Sequence, residues 1–385
     1  MKDKILIVSY YFYEENTPRS HRAFELAREL SKYYDVKVLT TKKNIPKEFF
    51  KKDNNLTVEY VERGFLLNKS TNSFNNIRNI QKKEGIKSKI TKAFKKIYGY
   101  FFWDRQIEAS YFFYKYLKNE KENYKSIISI AFPFSSHLGV YLGLLKNKNI
   151  TNNLILEYGD PFYYNKSLNL IYYFRILENL MLKKANYIVL PIEKAKEAFK
   201  KYNVEEKIKI IPQGFKLDEY TLEKYEENTT PTFVYAGIFY EKIRNPIKIL
   251  KALNKINKNF KFIIYSDKDS IQKMISGESI INEIENSNEK IILNNSIPRK
   301  ECIKEMSKAD FLLNISNINQ EQSPSKLIDY GIAKRPILSV TQDTFDENIL
   351  VEFLNGDYHN QTIIDLKKYD IEVIGKQYKN LIENI

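Results

Sequence analysis

Short apolar runs alternate with longer amphipathic stretches along most of this chain. The first such unit has a strand at Ile5 to Ser9, a helix at Ser20 to Tyr34 and a second strand at Asp35 to Thr40. The helix places five apolar residues on one stripe: Ala23, Phe24, Leu26, Ala27 and Leu30. A strand, a helix and a strand in succession build a parallel sheet. The recurring pattern therefore predicts an α/β fold, and 385 residues predict two domains rather than one.

The segment from Ala309 to Val340 predicts an anion site. An apolar run that ends at Ser316 reads as a buried strand, and a second strand begins at Ile337. The start of the helix between them is indicated twice: Ser323 can cap it, and Pro324 suits the first helical position. The free N–H groups and the dipole at a helix start attract anions, and Lys326 adds a positive charge in the first turn.

Two carboxylates flank this predicted anion site. Glu321 lies before the helix, and Asp329 lies eight positions further on, inside it. Carboxylates suit hydroxyl donors such as those of a sugar or a ribose, so the stretch is typical of a nucleotide-sugar site. Acids eight positions apart also occur in any charged chain, and the alternative is that both lie on solvated loop and helix surface.

This stretch resembles the signature of the retaining glycosyltransferases of the GT-B fold, family 4. Their Glu-x7-Glu pattern precedes a small-residue helix and a Lys/Arg-Pro pair; here the acids are Glu321 and Asp329, and Arg335-Pro336 follows. The resemblance implies two Rossmann-like domains whose parallel sheets face each other across a cleft. It also implies that Glu321 binds hydroxyls of the donor sugar and that Asp329 binds the ribose.

A second strand end carries the basic residues that the resemblance assigns to the donor diphosphate. The strand that begins at Thr232 ends in Gly237, and the loop after it contains Lys242 and Arg244. We favour Arg244, because a guanidinium fork matches phosphate geometry. With Lys326 and the helix start at Ser323, Arg244 would stabilise the negative charge that grows on the leaving diphosphate. Ile238 stands where the family usually has an arginine.

The first domain supplies the other predicted site residues. His137 matches the histidine of a Pro-x-x-x-His loop, which the resemblance places near the transferred sugar; a helix-start cap is the alternative. Asp160 ends a strand where a subset of the family has an Arg-Asp-Pro motif that faces the acceptor. Gly159 stands in place of that arginine, so the resemblance assigns only Asp160 to the acceptor side. The family's Gly-Gly pair is absent from the first loop, so Arg19 and Arg22 are expected to contact an anion there by side chain, unless they are simply surface arginines.

The turn from Ile211 to Phe215 resembles an Ile-Pro-Asn-Gly-Phe turn that closes the first domain of this family, and Pro212 and Gly214 suit a turn. We therefore expect an acceptor-binding domain over 1–215 and a nucleotide-sugar-binding domain over 216–365. By the same resemblance, 366–385 is a C-terminal helix that crosses back to the first domain.

Composition narrows the choice of partners. The net charge of +14 indicates an anionic partner, although the abundance of lysine also fits a compositional bias of the coding genome. Lysines and aromatics concentrate over 82–118, which suits an anionic membrane interface; a solvated basic helix followed by a core helix is the alternative. No nucleic-acid motif accompanies them, so no nucleic acid is expected. One cysteine and three scattered histidines give no expected metal site.

No apolar run approaches the ~18 residues of a membrane-spanning helix, so we expect a cytoplasmic protein whose membrane contact, at the inner face, is peripheral. The resemblance as a whole implies a retaining, metal-independent glycosyltransferase of the hexosyltransferase type in surface polysaccharide synthesis. It would need no cofactor beyond its UDP- or GDP-linked donor, and would act on a glycan or lipid-linked acceptor. A sugar-nucleotide epimerase and a non-catalytic subunit of the same fold stay open as alternatives.

Overall fold

The computed structural model describes residues 2–13, 18–41, 55–64, 106–165, 168, 170–242, 244–316, 325–341 and 345–384. Its chain divides into two compact units. Unit 1 comprises Met1–Phe215 together with Asp370–Ile385, and unit 2 comprises Lys216–Tyr369.

Unit 1 is built on a parallel sheet of seven strands, counted over the described residues. Its spatial order is β3-β2-β1-β4-β5-β6-β7. The strands are β1 (Lys4–Ser9), β2 (Asp35–Thr41), β3 (Leu56–Val61), β4 (Ser126–Ala131), β5 (Leu154–Tyr158), β6 (Tyr187–Leu190) and β7 (Ile208–Ile210). At the centre, Ile5 pairs with Val36 on one side and with Ser126 on the other.

Helices cover both faces of this sheet, and the alternation of side chains along β1 shows why. Ile5 and Ile7 face one apolar cluster, whereas Leu6 and Val8 face the other. The first cluster is closed by α1 (Pro18–Leu30) and by the C-terminal helix, which is named α11 below (Ile371–Glu383). The second is closed by α2 (Ala109–Asn119), α3 (Ser135–Lys146) and α4 (Tyr172–Lys184).

Unit 2 repeats the plan on a smaller scale. Its described strands form a five-stranded parallel sheet in the order β10-β9-β8-β11-β12. They are β8 (Thr232–Ala236), β9 (Lys261–Tyr265), β10 (Ile291–Asn294), β11 (Phe311–Ile315) and β12 (Ile337–Val340). The helices are α5 (Ile247–Lys255), α6 (Lys268–Gln272), α7 (Gly277–Glu285), α8 (Arg299–Met306), α9 (Ser325–Ile332) and α10 (Glu347–Leu354). The predicted pair of parallel α/β sheets is confirmed.

Each sheet has a point where the strand order reverses. In unit 1 it lies between β1 and β4, and in unit 2 it lies between β8 and β11. Ligands of open parallel sheets bind at the carboxyl ends of the strands beside such a point. The ends of β8 and β11, and those of β1 and β4, are therefore where binding residues are expected.

One predicted helix differs in kind. The sequence predicts an α-helix from Glu193 to Tyr202, but the segment forms two short 3₁₀ helices, Glu193–Ala198 and Lys200–Tyr202. Tight turns of this kind suit short connections, and here they bury Phe199 and Tyr202 in the core while Asn203 closes the segment with a positive φ of 53°. Separately, none of the helices in the described part of the chain is long and apolar enough to cross a membrane.

Candidate functional site

A glycine directly follows β8 at the point of strand reversal in unit 2. Gly237 has a φ of +141°, a conformation that favours glycine. A Cβ at this position would lie 2.5 Å from the Nζ of Lys326. The absence of a side chain at 237 therefore allows the amine of Lys326, which comes from the first turn of α9, to approach the backbone that follows β8.

The Lys326 amine is shielded from solvent although the side chain as a whole is only partly buried. Its Nζ lies 3.8 Å from the centre of the Tyr235 ring and has no hydrogen-bond partner among the described residues. Burial, and next the positive charge of Arg244, lower the pKa of Lys326 well below its usual value. An amine in this position is poised to gain an anionic partner.

Arg244 is held beside Lys326 by a tight turn. Tyr240 and Arg244 exchange backbone hydrogen bonds of 3.2 and 3.0 Å. One guanidinium nitrogen, Nη1, donates to the carbonyl of Ile238 at 3.4 Å, while the buried Nε has no hydrogen-bond partner within the described part of the chain. Two cationic groups with unused donors thus lie at one strand end, where like charges would repel each other unless an anion joined them.

Asp329 lies one turn after Lys326 on α9 and has a partner of its own. Its Oδ1 accepts hydrogen bonds from Arg299, at 2.9 Å from Nε and 2.5 Å from Nη2. Burial raises the pKa of Asp329, and Arg299 and Lys326 oppose that rise. With Oδ1 bound to Arg299, Oδ2 is the oxygen through which Asp329 can accept a hydrogen bond from a ligand hydroxyl.

The structure thus brings together Gly237, Arg244, Lys326 and Asp329. Lys242 is exposed and lies on the turn that presents Arg244. Glu321 and Ser323 lie outside the described residues.

In unit 1, Arg19 and Asp160 form an ion pair at the carboxyl edge of the sheet. Nη2 of Arg19 lies 2.5 Å from Oδ2 of Asp160, and Nη1 donates to the carbonyl of Ala131 at 3.3 Å. Both side chains are partly exposed. The guanidinium lies where a Cβ of Gly159 would be. An arginine therefore does stand beside Asp160, but it comes from α1, and Gly159 leaves room for it.

Arg22 lies one turn further along α1 and is buried. Its guanidinium forms an ion pair with Glu157 on β5, and Glu157 also accepts a hydrogen bond of 2.6 Å from the Tyr378 hydroxyl on α11. This network joins α1, the sheet and the C-terminal helix. Arg19 faces the sheet edge, but Arg22 is engaged within the core and is not presented to a ligand.

His137 is fully buried in the first turn of α3. Its Nδ1 lies 2.8 Å from the Ser129 hydroxyl, and its ring packs 4.6 Å from that of Tyr158. Burial lowers the pKa of His137 to about 3, so the imidazole is neutral at physiological pH. Its Nε2 has no hydrogen-bond partner in the described ranges.

Arg299 and Glu157 have no role that the sequence alone identifies, although each residue carries a signal. Arg299 is the first residue of α8, where a positive charge opposes the helix dipole and so indicates a nearby acid. Glu157 is a charged residue inside an otherwise apolar, wholly buried strand. A buried carboxylate needs a partner, and Arg22 supplies it.

No protein-family model matches this sequence, and no curated protein matches it significantly. Solved structures do match. Sucrose-phosphate synthase from Thermosynechococcus elongatus aligns with a TM-score of 0.62 and 12% identity over 100% of this chain and 99% of its own. The apo form of the lipopolysaccharide outer core galactosyltransferase WaaB aligns with a TM-score of 0.62 and 10% identity, covering 99% of each chain. HepE from Anabaena, in complex with UDP-glucose, aligns with a TM-score of 0.58 and 10% identity over 100% of both chains. These full-length similarities confirm the predicted GT-B fold.

Proposed function

We propose that this chain is a glycosyltransferase that binds a nucleoside-diphosphate sugar in unit 2. The observation that carries the proposal is a pair of buried nitrogens without hydrogen-bond partners among the described residues, Nζ of Lys326 and Nε of Arg244, at the glycine turn after β8. Their unused N–H donors suit the oxygens of a diphosphate. The similarity to HepE, whose structure holds UDP-glucose, favours UDP as the nucleotide, and GDP is the alternative.

The reaction we propose is transfer with retention of configuration at the sugar. Breaking the bond between sugar and diphosphate leaves negative charge on the phosphate oxygens, and donors that are already in place stabilise that charge without reorganisation. Lys326 and Arg244 would provide this stabilisation, which in other enzymes is the task of a divalent cation. We therefore propose that transfer needs no metal ion.

On the acceptor side we propose that Arg19 and Asp160 contribute. The pair lies at the carboxyl edge of the unit 1 sheet, beside the point of strand reversal, and both side chains remain partly exposed. Such a pair can accept and donate hydrogen bonds to sugar hydroxyls. The acceptor class that we propose is a glycan or a lipid-linked sugar in surface polysaccharide synthesis.

The test is calorimetric binding of UDP, GDP and their hexose conjugates in buffer that contains EDTA. We would compare the wild type with Arg244→Gln and Glu321→Ala, and use Arg28→Gln on α1 of unit 1 as a charge-matched control. Loss of one charge-assisted contact is expected to weaken binding about 10- to 150-fold. The control should bind as the wild type does.

Three outcomes separate the alternatives. Binding that Arg244→Gln weakens, with release of nucleoside diphosphate on addition of an acceptor, supports the transferase. Binding with interconversion of the sugar and no release of diphosphate would indicate the epimerase. Absence of binding by any of the nucleotides would remove the proposed site and leave the non-catalytic subunit.

A further inference from the structure

The helix α4 carries an apolar stripe on its outer face. Its inner face is buried against the unit 1 core through Phe174, Met181 and Leu182. On the opposite side, Tyr172, Ile176 and Leu180 follow each other at intervals of four residues and therefore lie in one row. They are 59%, 48% and 43% exposed. Three large apolar side chains in a row at this exposure form an apolar surface that nothing in the described part of the chain covers.

The charges beside this stripe all have one sign. Arg175, Lys183 and Lys184 lie on the same helix, and the two lysines are exposed. The helix contains one acid, Glu178, but that carboxylate is buried and accepts hydrogen bonds from the Tyr202 hydroxyl at 2.6 Å and from the Tyr163 N–H at 3.1 Å. The outer face of α4 therefore presents apolar groups and positive charges without an exposed acid.

A further lysine reinforces the positive end of the helix. Lys207 donates to the carbonyl oxygens of Lys183 and Ala185, at 2.8 Å in each case. It neutralises the negative end of the helix dipole there. The end of α4 that holds Lys183 and Lys184 is consequently positive in both its side chains and its cap.

We propose that the outer face of α4 docks on an anionic lipid surface. An apolar row flanked by cations is the pattern of helices that lie in the plane of a membrane interface, where the apolar groups enter the acyl boundary and the cations meet anionic headgroups. Tyr172 suits such a boundary, because its ring is apolar and its hydroxyl is polar. The absence of an exposed acid removes the repulsion that an acidic headgroup layer would otherwise meet.

The position of α4 in unit 1 gives this docking a consequence. A helix that connects two parallel strands runs opposite to them, so Tyr172 lies at the carboxyl edge of the sheet, where Arg19 and Asp160 also lie. Docking would hold that edge near the lipid surface. The docking itself does not depend on the proposed transferase activity. Only the inference that the acceptor is lipid-linked rests on that activity.

The experiment is co-sedimentation of the full chain with phosphatidylcholine vesicles, with or without about 30% phosphatidylglycerol. One variant, Ile176→Ser with Leu180→Ser, removes most of the apolar row. A second, Lys183→Gln with Lys184→Gln, removes charge and leaves the row in place. Ile363→Ser in unit 2 is the matched control, because Ile363 is 85% exposed outside α4. Circular dichroism would confirm that each variant folds.

We expect the wild type to bind the anionic vesicles preferentially and to be released by salt, and the control to behave in the same way. Each α4 variant should bind about tenfold or more weakly. Unchanged binding by both variants would overturn the proposal, since another part of the chain would then provide the lipid affinity. A wild type that fails to bind anionic vesicles, or that is a dimer which Ile176→Ser with Leu180→Ser converts to a monomer, would also overturn it.

Discussion

Replacing Lys326 by methionine should have opposite effects on binding and on stability. Methionine keeps the length of the side chain and its contact with the Tyr235 ring, but it removes the charge. In the free protein the amine is shielded and has no hydrogen-bond partner among the described residues, and its pKa is lowered by burial. Such a group lowers stability when it is charged, and its removal should therefore stabilise unit 2.

The magnitudes follow from the same contacts. A charge-assisted hydrogen bond to phosphate contributes about 1.5–3 kcal/mol, so the variant should bind UDP about 10- to 150-fold more weakly. The free energy of unfolding should rise by about 1 kcal/mol, which corresponds to roughly 2–4 °C in Tm for a unit of this size. The assays are titration calorimetry and thermal unfolding without nucleotide. Lys255→Met, which replaces an exposed lysine on α5, is the control for both.

Proton uptake provides an independent check on Lys326. Since its pKa is lowered in the free protein, the unfolded chain binds more protons than the folded one between that lowered pKa and the usual 10.5. Stability should therefore rise with pH across this window. A bound diphosphate raises the pKa again, so binding should take up a proton, detected as a dependence of the calorimetric heat on the buffer, and this uptake should vanish in Lys326→Met. A variant that binds UDP within about threefold of the wild type, or that is destabilised, would refute the reasoning.

Three further substitutions test other parts of the account. Burial raises the pKa of Glu178 to about 7, so ionisation of this carboxyl lowers the stability of the wild type. In denaturant titrations, Glu178→Gln should therefore gain about 2 kcal/mol of stability relative to the wild type as the pH rises from 5 to 8. A pH profile of stability that is the same in the variant and the wild type would contradict this. Gly159→Ala should displace the Arg19 guanidinium and slow transfer to the acceptor while the affinity for UDP stays the same, and a parallel loss of both would argue against an acceptor-side role. Arg299→Gln should let the pKa of Asp329 rise further, so that UDP affinity falls more steeply than in the wild type when the pH is lowered from 8 to 6; calorimetry that shows parallel pH profiles would exclude this function of Arg299.

Much of the fold follows from local patterns in the sequence. Short runs such as Leu154–Tyr158, in which Glu157 is the one charged residue, are predicted as strands from their apolar composition alone. In the structure this strand is buried along its whole length, as expected for a parallel sheet. The predicted strand at Tyr187 to Leu190 has the same bounds in the structure. The prediction of an α-helix after Glu193 was wrong. Helix propensity favours an α-helix there, but the segment has to bury Phe199 and Tyr202 in the core, and this requirement depends on tertiary packing.

The candidate site divides in a similar way. Gly237, Arg244 and Lys326 could be placed together because the family resemblance assigns both of their segments to the donor diphosphate. The structure adds that both segments follow strands beside a reversal of strand order. Ion pairs between residues that are far apart in the sequence could not be predicted. Arg19 and Asp160 are 141 positions apart, and nothing local indicates that Gly159 makes room for the arginine. The pairing of Arg22 with Glu157 likewise depends on how α1 packs on the sheet, which is decided by the core as a whole.

The most direct test of the central claim is a crystal structure of the protein with UDP bound. We predict that the diphosphate lies over the turn at Gly237, with phosphate oxygens within hydrogen-bond distance, about 3 Å, of Lys326 Nζ and of the Arg244 guanidinium. We also predict that the ribose hydroxyls lie beside Asp329. A nucleotide bound elsewhere, with the Lys326 amine still buried against Tyr235 and without an anionic partner, would contradict the account.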